Sequence, residues 1–379
     1  MSGGERLYQP ALDGIRGVAI VWVVFHNATD RAYGRAHGLS YLLMAFANTG
    51  WIGVQLFFAL SGFLITAGLL ATQRNPHYLR DFYAKRALRI LPLYYSVLIG
   101  FLLVWPAISS VSPVRTDGQW SLWTFVSNWT HVVPYGFAHF WSLAIEEQFY
   151  LLWPFVVGHL VPRRLLVACV AIALGSLLVR AGLSICGADW WSIYTNTACR
   201  MDALALGSAV ACLPYLLKQR DWFVARLRPI LTCALLLSVL GVPLTHVYSR
   251  MDSVGQTIGY SILAVCSAVL VAAAAAPGVA GGLWLRTALA TAPLRSLGKY
   301  SYGIYVFHNL LHRFWGDPWM VAHFGEHPAT ALILAYALGI LVSSYLIAIC
   351  SYQLLEKRFL RLKRRFEWPA PEVRGVPFA

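Results

Sequence analysis

LLMAFANTGWIGVQLFFALSGFLITAGLLA, residues 42–71, contains no Asp, Glu, Lys or Arg. Crossing about 30 Å of hydrocarbon takes roughly 20 helical residues. The run is therefore long enough for one membrane-spanning helix, and its excess length predicts tilt or a kink around Gly50 and Gly53. Further apolar stretches lie at 11–30, 88–106, 139–160, 165–183, 199–217, 229–247, 257–276, 294–314 and 329–352. Together they predict an all-α, polytopic membrane protein with about ten transmembrane helices.

Composition agrees. Of the 379 residues, 58% are hydrophobic and 12% are charged, whereas soluble chains carry about 45–50% apolar and about 25% charged residues. An ordinary cytosolic enzyme, a disordered chain and an acidic binding module are all excluded. The formal net charge of +14 does not point to nucleic acid, because the basic residues fall in short clusters between apolar runs and no base-reading motif is present.

Those clusters set the expected orientation. With the N-terminus in the cytoplasm, all but seven of the 30 Lys and Arg residues fall on the inner side. The exceptions are Arg31, Arg35, Arg115, Arg180, Arg200, Arg250 and Arg313. Ten spans with both termini cytoplasmic follow from the positive-inside rule. The first segment reads as a span rather than a cleavable signal peptide. Residues 106–138, with Trp120, Trp123, Trp129 and Tyr135, read as an interfacial stretch on the outer side. Residues 1–366 form the transmembrane domain, and 367–379 are expected to be a disordered cytoplasmic tail. The seven cysteines make no CxxC pair, so no metal is expected, and only Cys186 and Cys199 flank a segment where a disulfide is conceivable.

Ionisable groups inside a bilayer are costly and usually functional. Asp13, Arg16, His26, Arg86, Arg89, Glu146, Glu147, Arg200, Asp202, His246, His308 and Glu356 stand within or at the edges of the spans. At about 1.5 Å per residue, His26, the Glu146/Glu147 pair and His308 reach one level in the outer half. Arg16, Arg86 and Arg89 sit at the cytoplasmic mouth, with a vertical gap of the order of 15–20 Å between the sets. That separation suits a long anionic donor such as coenzyme A, since arginines make bidentate contacts to phosphates and a buried His beside a carboxylate can act as general base.

Several segments together resemble the acyltransferase-3 family of bacterial integral-membrane O-acyltransferases: LDGIRGVAIVWVVFHN (12–27), GVQLFFALSGFLIT (53–66), FYAKRALRILPLYY (82–95), HFWSLAIEEQFYLLWP (139–154), RMDALALGSAVA (200–211), LGKYSYGIYVFH (297–308) and YQLLEKRFLRLKRR (352–365). The resemblance implies transfer of an acetyl or other short acyl group from cytoplasmic acyl-coenzyme A to a hydroxyl, commonly on a cell-envelope saccharide. It implies a multi-pass protein of the plasma (inner) membrane that meets acetyl-CoA, a carbohydrate acceptor and lipid, with no metal. In that reading His26 is the catalytic histidine and Glu147 or Glu146 completes the site, while Arg16, Arg86, Arg89, Tyr302 and His308 bind the donor. Glu147 is expected to face His26, and Glu146 to meet a separate polar partner such as Arg200, because neighbours on a helix point about 100° apart.

Two features depart from the family pattern. Arg16 and His26 are ten positions apart where the family commonly has eleven, which turns them about 80° from one another on an ideal helix. Gln55 stands where relatives often carry Asp. A small secondary metabolite such as a macrolide is an alternative acceptor, and a non-enzymatic glycolipid or acyl carrier is an alternative class.

Overall fold

In the computed structural model, which describes residues 9–29, 38–108, 117–216, 251–275, 283–326 and 328–367, every regular element is helical. The expected span at 229–247, with Cys233 and His246, and residues 368–379 of the expected tail lie outside the described residues. The α-helices that frame the site are α1 (Pro10–Thr29), α2 (Gly38–Asn48), α3 (Ile52–Thr72), α4 (Tyr78–Leu98), α5 (Trp141–His159), α6 (Pro162–Ile185), α7 (Trp190–Thr195), α8 (Thr197–Leu216), α9 (Tyr260–Ala275), α10 (Leu283–Leu289), α11 (Ala292–Leu311), α12 (Asp317–Phe324) and α13 (Thr330–Ser351). A 3₁₀ turn at Thr49–Trp51 interrupts the long apolar run between α2 and α3.

Among the described residues, five continuous helical segments are long and apolar enough to cross a membrane: Gly38–Thr72, Tyr78–Ile108, Pro162–Ile185, Gly255–Ala275 and Thr330–Phe366. The chain is a polytopic membrane protein. On α6, Val167, Leu174 and Leu178 are exposed, an apolar surface that hydrocarbon satisfies and water does not. Of the nine expected spans that fall among the described residues, five meet that criterion of length and composition. The helices that fall short, α1, α5, α8 and α11, are those carrying Arg16, the Glu146/Glu147 pair, Arg200 with Asp202, and His308. Polar groups lower their apolarity and are accommodated by facing other helices.

Packing brings these polar helices together. α1 lies along α11, α8 against both α3 and α6, and α11 against α13. Small residues permit the close approach. A Cβ on Gly298 of α11 would lie 1.9 Å from the Asp13 carbonyl oxygen, and one on Gly207 of α8 would lie 1.9 Å from that of Ala59 on α3. Helix ends follow local chemistry: Val161 is extended ahead of Pro162, as the residue before proline prefers, and this ends α5 and starts α6.

The 117–140 segment departs from a simple interfacial stretch. Tyr94 and Tyr95 of α4 donate to the carbonyls of Leu122 and Trp123, at 2.8 and 3.2 Å, and Leu122, Phe137 and Phe140 are fully buried. The loop is folded into the bundle, leaving Trp120 and Trp129 exposed. Cys186 and Cys199 are free thiols.

Candidate active site

Five helices each turn one face toward a cavity of about 100 Å³. From α5 come Ser142, Glu146 and Tyr150, spaced by four so that they share a face. From α4 come Arg86, Arg89 and Ile90; from α3, Phe57, Phe58 and Ser61; from α11, Ser301, Tyr302 and Tyr305; from α1, Arg16. Three permanent positive charges and one carboxyl group thus line a space whose other walls are apolar, aromatic and serine side chains, which is a setting for a polyanion.

Hydrogen bonds fix the walls. Ser61 Oγ donates to Glu146 Oε1 at 2.5 Å, and Tyr150 OH donates to Ser61 Oγ at 3.3 Å. The Arg86 guanidinium lies 5.4 Å from the Tyr150 ring centroid and 5.9 Å from that of Phe82, so its charge is held over aromatic faces. Arg16 pairs with Asp13 at 3.5 Å, and Arg16 and Arg86 both act electrostatically on Glu146. Tyr302 OH donates to the Ile90 carbonyl at 2.8 Å, which ties α11 to α4.

A second polar cluster continues from Tyr305. Its hydroxyl donates to the His139 carbonyl at 2.7 Å. Since a phenol has one hydrogen, the 2.5 Å contact with Ser142 Oγ has the serine as donor. The His139 ring lies 5.2 Å from that of His308, and its Nδ1 meets Asn309 Nδ2 at 3.2 Å. His308 Nε2 accepts from Asn27 at 3.2 Å.

The residues singled out from the sequence are therefore distributed. Arg16, Arg86, Arg89, Tyr302 and Glu146 share the cavity; His26, Glu147 and His308 are not among its lining residues. His26 is 4% exposed and lies where the Thr49–Trp51 turn crosses α1, for a Cβ on Gly50 would stand 2.8 Å from its own. Because α1 is an unbroken α-helix, the ten-position spacing leaves Arg16 and His26 on different faces, as 100° per residue requires. The partner of Glu146 is Ser61, not Arg200. The Arg200 guanidinium instead lies among the rings of Phe58, Trp141, Tyr194 and Tyr260, 4.6–5.9 Å from each centroid. Its neighbour Asp202 pairs with Arg180 at 2.8 Å. Gln55 is buried and donates to the Tyr260 carbonyl at 3.3 Å.

Sequence reading missed Ser61, Tyr150 and the Asn27/His139/Asn309 amide and imidazole groups. Tyr150 had a signal, lying one helical turn beyond Glu146. Ser61 had none, because a serine in an apolar helix usually bonds its own backbone.

A family model described as an acyltransferase domain matches residues 9–349. The chain belongs to this acyltransferase family. The match covers every residue that lines the cavity. Among similar proteins is "Putative peptidoglycan O-acetyltransferase YrhL" of Bacillus subtilis, 32% identical over 327 residues, which are 79% of this chain and 48% of that protein. "Peptidoglycan O-acetyltransferase OatA" of Listeria monocytogenes is 29% identical over 80% of this chain and 49% of its own length. "O-acetyltransferase OatA" of Staphylococcus aureus is 27% identical over 79% and 50%. The chain spans about half the length of the curated relatives it matches. No solved structure matches this acyltransferase.

Proposed function

We propose that this chain is an integral-membrane O-acetyltransferase of the plasma membrane that moves an acetyl group from cytoplasmic acetyl-coenzyme A to a hydroxyl of a cell-envelope saccharide. The observation that carries the reading is the enclosure of Arg16, Arg86, Arg89 and Glu146 by one cavity inside an apolar bundle. A carrier needs a polar path, but not three fixed cations around one carboxyl group. The saccharide acceptor is favoured by the names of the relatives, two of which specify peptidoglycan.

In this mechanism the arginines hold the phosphates of the donor, which remains at the cytoplasmic side because of the placement of basic clusters. His26 lies ten residues, about 15 Å, further along α1 and on another face than Arg16, so the thioester end of an extended donor has to pass round α1 to meet it. His26 takes the proton of the acceptor hydroxyl as the oxygen attacks the thioester carbonyl. The carbon–sulfur bond breaks, and the proton passes to the departing thiolate. Glu146 or Glu147 supplies the negative charge that steadies the imidazolium.

Purified protein in liposomes, given labelled acetyl-coenzyme A and a peptidoglycan oligosaccharide, is expected to form the O-acetyl ester. His26→Ala should lose about 10²–10⁴ in rate, the usual contribution of general base catalysis. Full transfer by a well-folded His26→Ala protein would overturn the mechanism, and no transfer to any saccharide hydroxyl would overturn the acceptor.

A further inference from the structure

Outside the site described above, the described residues form a second cavity, of about 160 Å³, between the 117–140 loop and the segment that joins α6 to α8. Its lining includes Trp129, Trp191, Asn128, His131, Ser192 and Asn196. The lining is two indole rings and a set of hydroxyl, amide and imidazole groups, with no carboxylate and no Lys or Arg. Such a lining suits a neutral, hydroxyl-rich ligand with an apolar face, since aromatic rings present flat apolar area while the rim supplies hydrogen bonds. Tryptophans that merely anchor a protein at a membrane interface face lipid, and have no reason to wall a concavity among polar side chains.

The ring positions are fixed. Trp129 is 65% exposed, yet its indole N–H donates to Thr197 Oγ1 at 3.1 Å. Thr197 donates in turn to Gln148 Oε1 at 2.5 Å, while Gln148 Nε2 donates to Asn128 Oδ1 at 2.9 Å. Asn128 also donates to the Thr195 carbonyl at 3.2 Å. An exposed indole held this way has little freedom left to lose on binding. On α7, Ser192 Oγ donates to Asp189 at 2.5 Å and meets His131 Nε2 at 3.2 Å. Hydrogen bonds from Ser192 hold the Asp189 carboxyl below the usual carboxylate range, so His131 lies 3.7 Å from a carboxylate at neutral pH. Gln148 directly follows the Glu146/Glu147 pair on α5, so the helix that brings Glu146 to the first cavity also anchors Asn128 in the wall of the second.

We infer that this second cavity is a saccharide subsite, in which Trp129 and Trp191 stack on one pyranose ring of the acceptor chain. The inference rests on the proposed saccharide acceptor and adds where that acceptor is held. It is tested with the β-1,4-linked tetramer of N-acetylglucosamine as probe, titrated calorimetrically into the detergent-purified full chain. The expected result is saturable binding that Trp129→Ala and Trp191→Ala each weaken by about tenfold, the scale of one well-placed aromatic contact. His131→Ala, at an exposed rim position, serves if an indole variant fails to elute as a monodisperse protein, and should weaken binding several-fold. Absence of binding by the wild type, or equal binding by wild type and all three variants, would overturn the subsite. Acetyl transfer to the same tetramer, measured in parallel, separates the two readings. Trp-dependent binding with no transfer to this tetramer or to a peptidoglycan oligosaccharide keeps the subsite and removes the saccharide acceptor of the proposed transfer, whereas transfer with an acceptor KM insensitive to all three variants removes the subsite alone.

Discussion

Asn27 of α1 and His308 of α11, 281 residues apart, meet through Asn27 Nδ2 and His308 Nε2 at 3.2 Å. The other amide hydrogen of Asn27 goes to the Val23 carbonyl at 3.0 Å, and His308 Nδ1 donates to the Tyr305 carbonyl at 2.7 Å. The ring is thus satisfied as the neutral Nδ1–H tautomer, and the contact clamps the C-terminal ends of α1 and α11 together.

Removing that clamp should destabilise the fold. Asn27→Ala leaves a buried ring nitrogen without a donor, at about 1–3 kcal/mol. Asn27→Asp sets two acceptors against each other and should cost at least as much. Thermal unfolding in detergent measures both, and an unchanged Tm in the pair would show that the contact contributes nothing.

The α1–α11 crossing itself admits no side chain at Gly298. Gly298→Ala must push Asp13 and α1 away, with a loss of at least about 1–3 kcal/mol and a collapse in the yield of folded protein. Gly175 on α6, whose Cβ would meet nothing within 4 Å, is the contrast. There alanine should be neutral or stabilising by up to about 1 kcal/mol. Equal yields and Tm values for the two variants would contradict the crossing geometry.

Arg86 and Arg89 should act on donor affinity more than on turnover. Contacts to phosphates remote from the reacting carbon bind ground state and transition state alike, so Arg86→Ala and Arg89→Ala are expected to raise the acetyl-coenzyme A KM with kcat largely kept. Lysine should rescue only in part, lacking the planar fork that pairs bidentately with phosphate. Steady-state kinetics with varied donor gives the answer, and unchanged donor KM in both alanine variants would reduce them to lipid-facing anchors.

Asp202 balances buried guanidinium charge. Arg180 and Arg200 are both fully buried, and Asp202 pairs with Arg180 at 2.8 Å and also acts electrostatically on Arg200. Asp202→Asn takes away that charge while nearly keeping the shape, and should cost about 3–5 kcal/mol. Measured expression and Tm near wild type would mean that the two guanidiniums are neutralised elsewhere.

Much of this was legible in the chain itself. Apolar runs bounded by charge clusters determined an all-helical membrane protein, because hydrocarbon admits only segments whose backbone is satisfied internally. Arg16, Arg86, Arg89 and Glu146 stood out as ionisable groups within or at the edges of apolar spans, whereas Tyr302 was marked only by the family resemblance. What the sequence could not decide was which of them share a cavity. Rise per residue gives depth along one helix but not its rotation, so Glu146 and Glu147 could not be separated until α5 was seen to turn Ser142, Glu146 and Tyr150 toward the cavity. That rotation is set by contacts between residues remote in sequence, such as Trp153 Nε1 donating to Thr66 Oγ1 at 2.8 Å and Gln148 Nε2 to the Phe125 carbonyl at 2.9 Å. Helical periodicity is local and is written in every turn; the choice of which face looks inward belongs to the assembled bundle.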